Sequence, residues 1–369
     1  MPDQIPFTRG VPSADLLPVD DIRSAAAAAL EDDAVAALSY APKGHLGLRE
    51  WIAERHGVSP ERVLLVNGSL EGLGFLSRHL LARGGGAVVE DPTYDRTLKV
   101  LAAAGAELRA VPLEADGLDL DALRQAFDAS PAPTLAYLVP TYQNPSGVCL
   151  SLEKRRAVVD LARDRGVLLV EDDPYGLLRF EGDPLPSLSD LDGGDNVVYS
   201  CSFTKTIAPG VRTGYLVLPE PHVPALSTLS ANTYIAPNSF AEATLAAYCR
   251  MGFFEPNVER VRVELRRRRD AMGAALREHF PQGSSWTTPQ GGYFFWVELP
   301  SHIDPTAALA AATAAGVPYV SGADFSHTSV GRHSLRLAFS AVAPDLIEEG
   351  IARLGTVLAK AGTPAVAAG

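Results

Sequence analysis

The sequence predicts an α/β protein, with a large domain built on a mostly parallel sheet between helices and a smaller α+β domain. Two observations carry this. Short apolar runs at 63–66, 87–90, 108–112, 135–139, 167–170 and 197–199 alternate with helical stretches. Runs of that kind form strands buried on both faces, as parallel sheets require. Toward the C-terminus the pattern changes: Ser334 to Ser340 alternates polar and apolar before a closing helix at 344–358. The expected division is 1–45 as an N-terminal arm and part of the small domain, 46–268 as the large domain and 269–369 as the small one.

In chain order, Phe7-Thr8-Arg9-Gly10-Val11-Pro12 is turn-rich and extended, a segment that crosses a surface. Asp20 and Asp21 start an alanine-rich helix to about Leu38, acid first as the helix dipole favours. Tyr40-Ala41-Pro42-Lys43-Gly44 is a loop before a helix at 48–55. After the strand at 63–66, Asn67-Gly68-Ser69-Leu70-Glu71-Gly72 opens a helix to about Leu81. Its free N–H groups suit an anion, or a plain N-cap. The glycines at 84–86 precede a strand rather than a helix, so they are not a dinucleotide loop. Asp91-Pro92-Thr93-Tyr94 follows that strand, and a helix is expected at 118–127. Asn144-Pro145-Ser146-Gly147 is a turn by chemistry alone.

A helix at 152–163 and a strand at 167–170 lead to Glu171-Asp172-Asp173-Pro174-Tyr175-Gly176. A carboxylate at the end of a buried strand is costly without a cation partner. A helix cap is the competing reading, and no histidine cluster supports a metal. A helix near Leu226 carries residues 230–238. The run Arg266 to Arg269, with Glu259 and Glu264 nearby, reads as a solvated, ion-paired helix face. Residues 289–296 enter a core strand, and 361–369 read as a frayed tail.

The densest chemistry lies at 200–215, where Ser202, Thr204, Lys205 and Arg212 follow the strand at 197–199. Strand ends are where α/β sheets place ligands. A lysine there forms a Schiff base with an aldehyde when its amine is desolvated. Hydroxyls and an arginine fork suit a phosphate. An aldehyde and a phosphate on one ligand point to pyridoxal 5′-phosphate. A solvated surface lysine is the competing reading of this stretch taken alone.

The 369 residues are 47% hydrophobic and 21% charged, ordinary for a globular chain. A net charge of −12 argues against a nucleic-acid or anionic-membrane surface. Cys149, Cys201 and Cys249 form no Cys-x-x-Cys, which argues against a disulfide scaffold or zinc site. No stretch has the apolar length of a signal core or a bilayer span, so the cytoplasm is expected.

The segment Ser202-Phe203-Thr204-Lys205 through Pro209-Gly210-Val211-Arg212-Thr213-Gly214-Tyr215 resembles the lysine segment of the class I/II aminotransferases, pyridoxal phosphate fold type I. The likeness runs from about Phe7 to about Leu354, nearest the subgroup of 2-aminoadipate transaminases and MocR-type regulator domains. It implies a large-domain sheet of the seven-stranded type, that Lys205 holds the cofactor and that Asp172 faces its ring nitrogen. It implies that Tyr175 and Asn144 meet the 3′-oxygen and that Tyr94 stacks on the ring. Gly68, Ser69, Leu70, Ser202, Thr204 and Arg212 would hold the phosphate. Arg336 would read the substrate's α-carboxylate, and Gly10 would lie over the substrate.

Tyr40 would reach the phosphate of a partner subunit, which implies a homodimer with shared sites. The implied reaction moves an amino group between an α-amino acid and a 2-oxo acid. Elimination, replacement, decarboxylation or oxidation on the same cofactor is the alternative, and a cofactor-sensing regulator domain a remoter one. The sequence departs from the family pattern at Arg9, Leu70, Glu71 and Asn238. Arg9 reads either as a solvated arginine or as a reader of a substrate carboxylate.

Overall fold

The computed structural model describes residues 4–82 and 84–362. The apolar runs become strands β1 Val63–Val66, β2 Gly86–Asp91, β3 Glu107–Glu114, β4 Gly117–Leu118, β5 Pro133–Leu138, β6 Leu168–Asp172, β7 Val197–Ser202 and β8 Gly214–Val217. They form one sheet in the order β1-β8-β7-β6-β5-β2-β3-β4. The pairs β7/β6, β6/β5, β5/β2 and β2/β3 are parallel. Only β8 and the two-residue β4 run against them. The sheet thus has eight strands where seven were expected, because β4 extends its edge. The C-terminal ends of β1, β2, β5, β6 and β7 consequently share one edge, where the polar loops gather.

Alternation sorts the two faces. Val63, Leu65 and Tyr199 pack with Ala25, Ala29, Leu48 and Leu245 in one core. Leu64, Val66, Tyr137, Val170 and Val198 pack with Leu73, Leu76 and Leu98 on the other face. Ala136, Leu169 and Val197 join Leu123 and Val158 in a third cluster.

The small sheet has β9 Ser285–Trp286, β10 Phe294–Glu298, β11 Val320–Ser321 and β12 Ser334–Ala338, in the order β11-β12-β10-β9. The N-terminal segment laces into it. Ile5 N donates to Gly316 O at 2.7 Å, Phe7 N to Pro318 O at 2.9 Å, and Ala338 N to Phe7 O at 2.9 Å. The helix Val19–Leu38 goes elsewhere and packs its alanines on the helix Ser239–Arg250 of the large sheet's layer.

Several local expectations shift. The helix expected at 118–127 is Leu120–Asp128, because the Asp119 carboxylate accepts from Asp121 N and Ala122 N and caps it there. The helix near Leu226 ends at Tyr234. Asn238 instead caps the next helix, accepting from Ala241 N. The arginine run is only half a solvated face. Arg266 and Arg267 are exposed, but Arg268 and Arg269 are 2% and 3% exposed. The helical turn carries those two inward, where Arg268 binds Ser13, Asp15 and Ser340, and Arg269 binds Glu181 and Pro289. The expected tail at 361–369 is helical at Ala361; 363–369 lie outside the described residues.

Candidate active site

A cavity of about 400 Å³ opens at the C-terminal strand edge, between the large sheet, the N-terminal segment and the small sheet. Asp172, Lys205, Arg336, Asn144, Tyr94, Tyr175, Ser202, Thr204, Arg212, Gly68, Ser69, Leu70 and Gly10 all line it. Tyr40 does not; it is 78% exposed.

Lys205 follows the end of β7 in a turn held by Thr204 N donating to Ser202 Oγ at 3.0 Å. Its Nζ donates to Gly10 O at 2.6 Å, and its carbonyl accepts from Tyr293 Oη at 2.8 Å. Desolvation, with the Arg336 and Arg212 charges, lowers its amine from 10.5 to about 8, against the pull of Asp172. The amine is walled by protein, though the cavity keeps it partly accessible.

Asp172 ends β6, on the same face as Val170. β5 sets Tyr137 beside Val170, and Tyr137 Oη donates to Asp172 Oδ2 at 2.5 Å. Asp172 Oδ1 is buried without a hydrogen-bond partner among the described residues. An unsatisfied buried acceptor costs about 1–3 kcal/mol, so this oxygen is suited to a donor supplied by a ligand. Burial, with Asp173 nearby, raises the Asp172 carboxyl to about 6. Asp173 turns to the other side, binding Tyr199 Oη at 2.9 Å and Gly176 N at 2.8 Å.

At the end of β1, Gly68 has φ +104°, and Ser69 begins the helix Ser69–Leu80. A Cβ on Gly68 would lie 2.5 Å from Arg212 Nη2. That close approach brings the guanidinium, which binds Asn67 O at 2.9 Å, against the helix start. N–H groups and a cation so arranged form an anion cradle.

On the far side, Arg336 on β12 donates to Asn144 Oδ1 at 2.8 Å and Thr8 O at 2.8 Å. Its guanidinium lies 4.2 Å from the Phe294 ring centroid and 4.8 Å from that of Phe325. Its buried Nε has no partner among the described residues. The N-terminal strap presses on this wall: a Cβ on Gly10 would come within 2.3 Å of the Phe294 ring.

Amine, orphaned carboxylate oxygen and anion cradle, facing one cavity, fit a ligand that carries an aldehyde, a cationic ring nitrogen and a phosphate. Pyridoxal phosphate carries all three. Sequence reasoning missed Tyr137 and Phe294 as lining residues. Both read as core positions, and only inter-strand register brings Tyr137 to Asp172.

Comparison with known proteins agrees with this geometry. The profile of the family "Aminotransferase class I and II" matches residues 2–354. Aromatic-amino-acid aminotransferase 1 of Thermococcus litoralis is 33% identical over 369 residues, covering 96% of this chain and 88% of that protein. Pyrococcus horikoshii kynurenine aminotransferase, solved in complex with PMP, superposes with a TM-score of 0.92 at 33% identity, covering 97% of this chain and 91% of that one. The α-aminoadipate aminotransferase of Thermus thermophilus, solved with N-(5′-phosphopyridoxyl)-L-leucine, gives 0.92 at 31% identity, with 97% and 91% covered.

Proposed function

The chain belongs to the aminotransferase class I and II family, and from that premise we propose how its cavity performs the reaction. The protein is a pyridoxal phosphate-dependent transferase that moves an amino group between amino acids and oxo acids. When bound, the cofactor supplies an aldehyde that takes up amines and a ring that draws electrons from the substrate Cα.

The residues divide the remaining work. Lys205 would hold the cofactor in the resting enzyme. Once released, it would take the proton from the substrate Cα and deliver it to the carbon that had been the cofactor's aldehyde, with the reverse transfer in the second half-reaction. Asp172 Oδ1 holds a proton at the ring nitrogen, while Tyr137 fixes the other carboxylate oxygen. Tyr94 would cover the ring, and Tyr175 and Asn144, which line the same cavity, would meet its 3′-oxygen. Gly68, Ser69, Leu70, Ser202, Thr204 and Arg212 hold the phosphate. Arg336 would grip the α-carboxylate of a 2-amino or 2-oxo acid with its fork, and Gly10 would lie over the substrate.

Two chains complete each site in this reading, with Tyr40 reaching a partner's phosphate. A cytoplasmic place belongs to the proposal as well; no helix among the described residues is long and apolar enough to cross a membrane.

The carrying observation is that the Lys205 amine and the orphaned Asp172 oxygen face one cavity. Borohydride reduction of the loaded enzyme, followed by peptide mapping, tests it. A pyridoxyl label is expected on Lys205, and Lys205→Ala should abolish turnover while cofactor binds noncovalently. A label on another lysine refutes the assignment.

A further inference from the structure

Five cations and two anions line the cavity: Arg9, Arg96, Lys205, Arg212 and Arg336 against Asp95 and Asp172. Most have a partner or an assigned ligand. Arg96 stands 3.6 Å from Asp95, which also holds Lys99 at 2.8 Å. Arg212 rests on Asn67 O at 2.9 Å beside the phosphate cradle. Lys205 and Asp172 face the cofactor, and Arg336 faces the α-carboxylate.

One charge remains. Arg9 lines the cavity, is exposed, and has no hydrogen bond or ion pair among the described residues. Its backbone is nonetheless pinned on both sides. Thr8 O accepts from Arg336 at 2.8 Å, and Gly10 O accepts from Lys205 at 2.6 Å. The Arg9 side chain therefore starts between the group that reads the α-carboxylate and the group that does the chemistry. With the α-carboxylate on Arg336 and Cα at Lys205, a substrate side chain would extend into the remainder of this cavity, which Arg9 lines. Val11, two residues on in the same segment, also lines the cavity and offers an apolar surface.

We propose that Arg9 is a specificity-determining residue that binds a second carboxylate. The preferred substrates are then amino acids with an acidic side chain, together with the matching 2-oxo dicarboxylic acids. This rests on the reading that Arg336 takes the α-carboxylate. An arginine is long, flexible and always charged, so neighbouring chain lengths should be accepted.

The test uses cofactor-loaded enzyme and two unreactive acids of equal length, glutarate and pentanoate, titrated by calorimetry into wild type, Arg9→Ala, Arg9→Lys and Arg336→Ala. Wild type should prefer glutarate. Arg9→Ala should weaken glutarate by about 10- to 100-fold, the worth of a hydrogen bond to a charged group, while pentanoate shifts less than twofold. Arg9→Lys should recover part of the loss, and added salt should weaken glutarate more in wild type than in Arg9→Ala. Single-turnover absorbance with L-glutamate and L-leucine should give the same order. Arg336→Ala should weaken both acids. If glutarate binds Arg9→Ala as it binds wild type while Arg336→Ala loses both, the Arg9 assignment falls and the reading of Arg336 stands. If pentanoate binds Arg336→Ala unchanged, the underlying reading falls and takes the proposal with it.

Discussion

Lys205 shows how burial makes a nucleophile. At neutral pH about one ordinary lysine in 2,500 is uncharged. With its amine lowered to about 8, roughly one Lys205 in ten is neutral before any cofactor binds. The sign follows: a lowered value brings the neutral amine in at lower pH. Covalent capture of cofactor by the apoprotein should therefore quicken about tenfold per pH unit below about 8 and level off above it. Stopped-flow absorbance across pH 6 to 10 would show the bend, and a bend near 10 would mean that burial does not act on this amine. Much of this chemistry was legible in the sequence: a lysine among hydroxyls after an apolar run suits an aldehyde and a phosphate on one ligand, and the family resemblance along the chain set that reading above a solvated lysine. The choice of Asp172 over Asp173 came from the resemblance; strand parity puts the two on opposite sides without saying which side faces the cavity. Tyr137 was not. Parity works within a strand, whereas the pairing of Tyr137 with Val170 depends on how two distant segments align.

The loop at 40–44 is the element most in need of a partner. Its own chain holds it where Leu65 N donates to Lys43 O at 3.1 Å and, just after it, where His45 N donates to the Glu242 side-chain Oε2 at 2.8 Å. Neither bond involves the Tyr40 side chain. If that side chain serves a neighbouring subunit, inactive Lys205→Ala and inactive Tyr40→Phe chains should regain activity on mixing, up to about a quarter of the wild-type sites under random exchange. Each heterodimer then holds one site with both defects and one with neither. The Tyr40→Phe loss and subunit exchange by native mass spectrometry must be established first; full exchange without recovery would place Tyr40 in its own site or in none. The helix Ser239–Arg250 that anchors this loop escaped the sequence reading for a physical reason. It is buried nearly all round, from Glu242 through Cys249, so it has no polar face to reveal a period. The alanine-rich helix Pro305–Ala314 hid for want of contrast of another kind, its residues being small and alike.

The architecture of the whole molecule was legible because alternating apolar runs and helices admit few arrangements. The order of strands was not, since it is set by crossovers that leave no local mark. Nor was the inward half of the arginine run, whose partners Ser13, Asp15, Glu181, Pro289 and Ser340 come from four separate stretches. That run sits on the helix Phe254–His279, which belongs to two cores. Phe254 and Val258 pack beneath the large sheet, and Val261, Leu265, Met272 and Leu276 pack beneath the small one. A helix is itself cooperative, because each broken turn frees several residues at once. Melting either core would strip one end of this rod and expose apolar surface at the other. The two halves of the chain are thus coupled in their denaturation, and scanning calorimetry of the apoprotein should record one endotherm with matching calorimetric and van't Hoff enthalpies per cooperative unit. Two resolved peaks would mean that the rod frays at its middle, between Val258 and Val261, and that each core melts on its own account.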